Sequence, residues 1–134
     1  MMMSTRKQHI AIGLIAAVVF SIATIAAIVP REEPAEGIHE IHLVVRDMAY
    51  YIEGSSEPNP TLTVRRGEQV KVTVRNEEAG MIHDFGVGAW NARTARLEYR
   101  ELGAVQFRAP DQPGIGTYAC SPHAEMMQGT IRVE

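Results

Sequence analysis

Short runs of alternating polar and apolar residues, typical of β-strands, occupy most of the chain after residue 37. Thr61–Arg65 and Gln69–Arg75 alternate residue by residue, which predicts one face of each strand in a core and the other in solvent. Further β-rich runs are Ile38–Arg46, Ala104–Arg108, Gly116–Cys120 and Gly129–Val133. Turn-forming residues separate these runs. The pattern predicts an all-β fold, a two-sheet sandwich with Greek-key connections.

Residues 91–101 fit two patterns. Arg93, Arg96 and Arg100 would line one face of a short helix, but Thr94–Tyr99 also alternates. We favour a strand followed by a loop.

The N-terminal part of the chain has a different pattern. Ile10–Val29 is a run of twenty residues without a charge, and an apolar helix of about that length spans a hydrocarbon core of roughly 30 Å. Arg6 and Lys7 precede the run, and positive residues favour the cytoplasmic side. We therefore predict a cytoplasmic flank (residues 1–9), one transmembrane helix as an anchor (10–29), a linker (30–37) and a globular domain (38–134) outside the membrane, periplasmic or extracellular.

A cleaved signal peptide is the alternative interpretation of the same segment, and it would give a secreted protein. Signal peptides have shorter apolar runs and end in a small-x-small site. Here the run is long, and Ile28-Val29-Pro30 is a poor cleavage site. We favour the anchor, and both interpretations export the domain.

Charge narrows the range of partners. All sixteen acidic residues lie at or after Glu32, whereas Arg6 and Lys7 belong to the thirteen basic ones, so the exported part carries five more negative than positive charges. Such a balance argues against binding to nucleic acid and against a polybasic membrane-binding face.

The chain has one cysteine, Cys120, which is unusual in an exported domain, where cysteines normally form pairs. It opens the sequence Cys120-Ser-Pro-His123-Ala-Glu-Met126-Met127, and a second histidine, His83, follows another predicted strand. Each residue alone has an ordinary explanation in packing or on a loop. Together, soft sulfur ligands and imidazoles favour copper, and two histidines, a cysteine and a weak axial methionine form an electron-transfer site.

At this motif the sequence resembles the cupredoxins, the family that includes plastocyanin, amicyanin and azurin. The resemblance covers residues 38–134 and is strongest in Tyr118-x-Cys120-x-x-His123-x-x-x-Met127-x-Gly129-Thr130. It implies one type 1 ("blue") copper ion held by His83, Cys120, His123 and Met127. Met126 is the alternative axial ligand, at the spacing seen in amicyanin. The Gln128-Gly129-Thr130 sequence that follows favours Met127, at the spacing seen in azurin.

The residues around the expected ligands also matter. The family usually has Asn after its first histidine, joining the two ligand loops, and this chain has Asp84. We expect Asp84 to hydrogen-bond to Ser121 and to favour Cu(II) if it is ionised. Pro122 has no N–H and cannot donate to the Cys120 sulfur.

The resemblance implies transfer of single electrons through His123, whose ring edge reaches an apolar patch where redox partner proteins dock. Pro122, Met126 and Trp90 are candidates for that patch, although Trp90 fits the sandwich core equally well. Copper delivery, storage or sensing is the alternative function. We expect neither an enzyme nor a small-molecule substrate, because nothing resembles a second copper site and a paired-copper centre of the oxidase type needs two cysteines.

Overall fold

The computed structural model describes residues 37–134. The predicted N-terminal flank, the anchor and the linker up to residue 36 lie outside the described residues. Within residues 37–134, no helix is long and apolar enough to cross a membrane.

The described domain consists of short strands and one turn of 3₁₀-helix, Gly88–Trp90. The strands are β1 (His39–Arg46), β2 (Ala49–Ile52), β3 (Leu62–Val64), β4 (Gln69–Asn76), β5 (Gly86–Val87), β6 (Ala92–Arg93), β7 (Leu102–Arg108), β8 (Gly114–Ala119) and β9 (Gln128–Val133). The predicted strands are all present with small shifts at their ends, and residues 91–101 form a short strand and a loop, as predicted. β2 and β5 were not predicted from the sequence.

These strands form two sheets. One has the order β2-β1-β4-β7 and the other β3-β9-β8-β5-β6. β1 and β4 pair in parallel, and so do β3 and β9. Consecutive strands such as β3 and β4 therefore belong to different sheets, and the predicted all-β, two-sheet architecture is confirmed.

One hydrophobic core joins the two sheets. The inward positions of β4, Val70, Val72 and Val74, are fully buried, and the residues between them are half-buried. Side chains from the second sheet, among them Tyr118 and Ile131, belong to the same core cluster. Strict alternation in the sequence therefore corresponds to one core face and one solvent-facing side.

Trp90 belongs to the edge of this core. Its ring lies 5.3 Å from that of Phe107, between centroids, and it covers the Gly116 backbone in β8. Trp90 is half-buried and packs against the core from this position, where it contacts a residue of each sheet.

Candidate metal centre

Two loops at one end of the sandwich bring the predicted metal-binding residues together. His83 lies between β4 and β5, and its backbone exchanges two hydrogen bonds with Leu97, at 3.1 and 2.7 Å. Cys120 directly follows β8, which pairs with β5 in the same sheet. Each loop is therefore fixed by pairing to a neighbouring segment.

The loop from Cys120 to Met127 is closed by its own backbone. The N–H groups of His123 and Met127 donate to the carbonyls of Cys120 and His123, at 3.3 and 2.9 Å. The Cys120 N–H donates to the Met127 carbonyl at 3.0 Å. These bonds bring the first and last residues of the loop together at the ends of β8 and β9.

Three ligand atoms converge between the loops. The Sγ atom of Cys120 lies 3.7 Å from Nδ1 of His83 and 3.7 Å from Nδ1 of His123. Within residues 37–134 this is the one group of three His, Cys, Asp or Glu side chains whose ligand atoms all lie within 4.8 Å of one another. Because no second cysteine is present, the sulfur is free for a metal.

The two methionines of the loop differ sharply in exposure. Met127 is fully buried with His83 and Cys120, whereas 62% of Met126 is exposed. The side chain of Met127 therefore lies inside the domain, whereas that of Met126 faces solvent.

Glu78 orients His83, a contact that the sequence analysis missed. Its Oε2 atom lies 3.0 Å from Nε2 of His83 and also accepts the Met48 N–H at 3.1 Å. An Nε2–H donated to this carboxylate leaves Nδ1 unprotonated and directed at the cysteine sulfur. Carboxylates in this position fix the tautomer and the ring orientation of metal-binding histidines. Five residues separate Glu78 from His83, and no sequence pattern indicates the contact.

Burial shifts the pKa values of two of the expected ligands, His83 and Cys120. Burial lowers the pKa of His83, although Glu78 opposes the change, so the ring favours its neutral form. Burial raises the pKa of the Cys120 thiol, while backbone N–H groups of Asp84 and His123 act in the opposite direction. A buried thiol with a raised pKa needs a bound cation to remain a thiolate at neutral pH.

Asp84 joins the two loops. The carboxylate is 3% exposed, and its Oδ1 atom accepts the Ser121 N–H at 2.6 Å. The expected hydrogen bond to Ser121 is therefore present, through the backbone. The neighbouring Pro122 is exposed.

Tyr50, in the strand missed by the sequence analysis, lies beneath this junction. It is fully buried, and its hydroxyl donates to the Asp84 carbonyl. Its ring meets those of Phe85 and Tyr118 edge-on, at 5.7 and 5.4 Å between centroids. Burial raises the pKa of Tyr50, so the phenol remains protonated and able to donate.

Comparison with solved structures assigns the fold. Auracyanin A, a "blue" copper protein from the photosynthetic bacterium Chloroflexus aurantiacus, is 21% identical, with a TM-score of 0.58, over 73% of this chain and 100% of its own. Auracyanin from Roseiflexus castenholzii, in a dithionite-reduced crystal, is 20% identical with a TM-score of 0.58, over 73% of this chain and 99% of its own. The chain therefore has the cupredoxin fold, as the resemblance implied.

Enzymes contain the same fold as one part of a longer chain. A copper-containing nitrite reductase from Thermus scotoductus is 22% identical with a TM-score of 0.54, over 73% of this chain and 28% of its own. The fold alone thus does not separate small blue copper proteins from enzymes. No protein-family model and no curated protein matches the chain by sequence.

The chemistry of the donor set fits one type 1 copper ion. A nitrogen of each of two imidazoles and one cysteine sulfur lie within 4.8 Å of one another, and a buried methionine ends the same loop as the cysteine. Two histidines, a cysteine and a weak axial methionine are the ligand set of that kind of site.

Proposed function

We propose that this protein is a type 1 copper protein that carries single electrons on the outer face of a membrane. His83, Cys120 and His123 would hold the ion, with Met127 as the axial ligand. Copper bound there supplies a one-electron couple between Cu(I) and Cu(II). The observation that carries the proposal is the convergence of two Nδ1 atoms on one free cysteine sulfur, each at 3.7 Å.

The protein's own contribution is to keep the donors in place in both oxidation states. Leu97 pairing and the Glu78 carboxylate fix His83, and backbone hydrogen bonds close the Cys120–Met127 loop. Donor side chains held in this way would move little when copper changes between Cu(II) and Cu(I). The structural rearrangement that accompanies electron transfer would therefore be small.

His123 is the proposed point of exit for the electron. It is partly exposed, unlike the fully buried His83, and the exposed side chains of Pro122 and Met126 lie in the same loop. A redox partner would dock on this loop.

Burial of the other three donors favours a fixed redox centre over copper delivery, in which the ion must leave. With four protein ligands, a bound copper ion would keep no open position of the kind that a catalytic metal site needs, so we propose no catalytic activity.

The location is proposed from the sequence alone. An uncleaved helix at residues 10–29 would hold the domain outside the membrane, within reach of membrane-bound donors or acceptors.

The visible absorption spectrum of the full-length chain loaded with Cu(II) tests the proposal. We expect an intense blue band in the wild type, its loss in Cys120→Ser, and no change in His42→Ala, which removes an exposed histidine of β1. A blue Cys120→Ser protein, or a colourless wild type that binds only Cu(I) and transfers it quickly to a chelator, would refute electron transfer at this site.

A further inference from the structure

Arg93, in β6, contacts both loops of the metal centre. Its Nη1 atom lies 3.2 Å from Oδ1 of Asp84 and donates to the Ser121 hydroxyl. Because the Ser121 N–H also donates to Asp84 Oδ1, the three residues form a closed set of contacts. Asp84 belongs to the His83 loop, Ser121 to the Cys120 loop, and Arg93 to neither.

Of the two charged residues, Asp84 depends more on the ion pair, because it is the more deeply buried. Its carboxylate is nearly buried, whereas 44% of the Arg93 side chain is exposed. A buried carboxylate is costly unless it is paired and hydrogen-bonded. Among the described residues, Arg93 is the cation that forms an ion pair with Asp84.

Gly86 makes room for the guanidinium. A Cβ atom at this position would lie 2.5 Å from Cζ of Arg93 and 2.7 Å from both terminal nitrogens. Gly86 pairs directly with Arg93 across β5 and β6. The guanidinium of Arg93 therefore packs against the backbone of β5 at a position where any side chain larger than that of glycine would displace it.

We infer that Arg93 is a positioning residue of the metal centre, which fastens the two ligand loops together through Asp84 and Ser121 and offsets the Asp84 charge beside the bound ion. This inference rests on the proposed function. A cation near the centre disfavours Cu(II) relative to Cu(I), whereas the carboxylate acts in the opposite direction. Arg93 thus raises the reduction potential above the value that an unpaired Asp84 would give.

Three variants of the full-length chain test the inference. Arg93→Gln removes the charge, and Gly86→Ala displaces the guanidinium without changing the net charge. Arg132→Gln is the control, because it removes an exposed arginine towards the far end of β9. We expect all three to stay blue. The midpoint potential should fall in Arg93→Gln and Gly86→Ala, by more than twice the change in Arg132→Gln.

Urea unfolding of the copper-free protein provides a second readout. The loss of stability caused by Arg93→Gln should be at least halved when Asp84→Asn is already present, because the buried charge is then gone. Equal losses in both backgrounds, or potentials of Arg93→Gln indistinguishable from those of Arg132→Gln, would overturn the inference. A colourless wild type would refute the proposed function, while the unfolding experiment would still decide whether Arg93 joins the loops.

Discussion

Neighbouring residues in the ligand loops have very different environments. Met126 is mostly exposed, whereas its neighbour Met127 is fully buried. The spacing within the motif predicts which of the two side chains faces inward. Tyr50 and Arg93 reach the site from strands outside the two ligand loops, and Glu78 contacts His83 from within the same loop. No sequence pattern indicates any of these three contacts. The expected ligands, three in one loop and His83 in a second loop, could therefore be named from the sequence, but the side chains that contact them could not.

Met127→Leu tests the axial ligand. Loss of the thioether removes a donor that stabilises Cu(II) more than Cu(I), so we expect the blue colour to remain and the midpoint potential to rise by tens of millivolts. Met126→Leu is the matched control and should change the potential little. Cyclic voltammetry of both variants provides the measurement, and the reverse pattern would assign the axial position to Met126.

Glu78→Ala tests the orientation of His83. Without the carboxylate, the ring is free to rotate and to exchange tautomers, and loss of such a partner typically costs about 10- to 100-fold in metal affinity. We expect a decrease of that order in copper affinity, measured by competition with a chelator. Glu77→Ala is the control, since Glu77 pairs with Arg75 instead. Equal affinities of the two variants would show that Glu78 does not orient His83.

The sheet membership of the strands, and the two strands β2 and β5, could not be predicted from the sequence. Alternation predicts β3 and β4 well, because one face of each is buried, yet it does not reveal that they enter different sheets. β2 was missed because the turn before it, Asp47-Met48, lacks the usual glycine although both residues have positive φ, at 50° and 55°. β5 was missed because two residues are too short for a periodic pattern.

The β8–β9 hairpin depends on Gly129. A Cβ atom there would overlap the phenol ring of Tyr118, its pairing partner, whose hydroxyl donates to the Pro60 carbonyl at 2.6 Å. We expect Gly129→Ala to lower the free energy of unfolding of the copper-free protein by about 1–3 kcal/mol, as overpacking usually does. Gly114→Ala on the same hairpin has open space around the new methyl group and should cost less. Similar values for the two variants in urea unfolding would show that the Tyr118 contact is readily relieved.

At the scale of the whole molecule, the fold and the donor set lead to different conclusions. The fold is shared with a small blue copper protein and with a longer copper-containing nitrite reductase, so it leaves the function open. Within the described residues, one compact group of two histidines and one cysteine fits a single metal ion. Membrane attachment depends on residues outside the described domain and remains a prediction from hydropathy and charge.

The predicted anchor is tested by processing and fractionation of the full-length chain. Twenty uncharged residues preceded by Arg6 and Lys7 should remain in the bilayer with the N-terminus inside, because the run is long enough to span and lacks a good cleavage site. We expect the protein to resist extraction from membranes by alkaline carbonate and to show the intact N-terminal sequence by mass spectrometry. Ile28→Ala, which completes an Ala-x-Ala sequence with Ala26, is a positive control for cleavage. A soluble wild-type protein that begins after Ile28 would contradict the anchor and identify a signal peptide, while leaving the copper site as proposed.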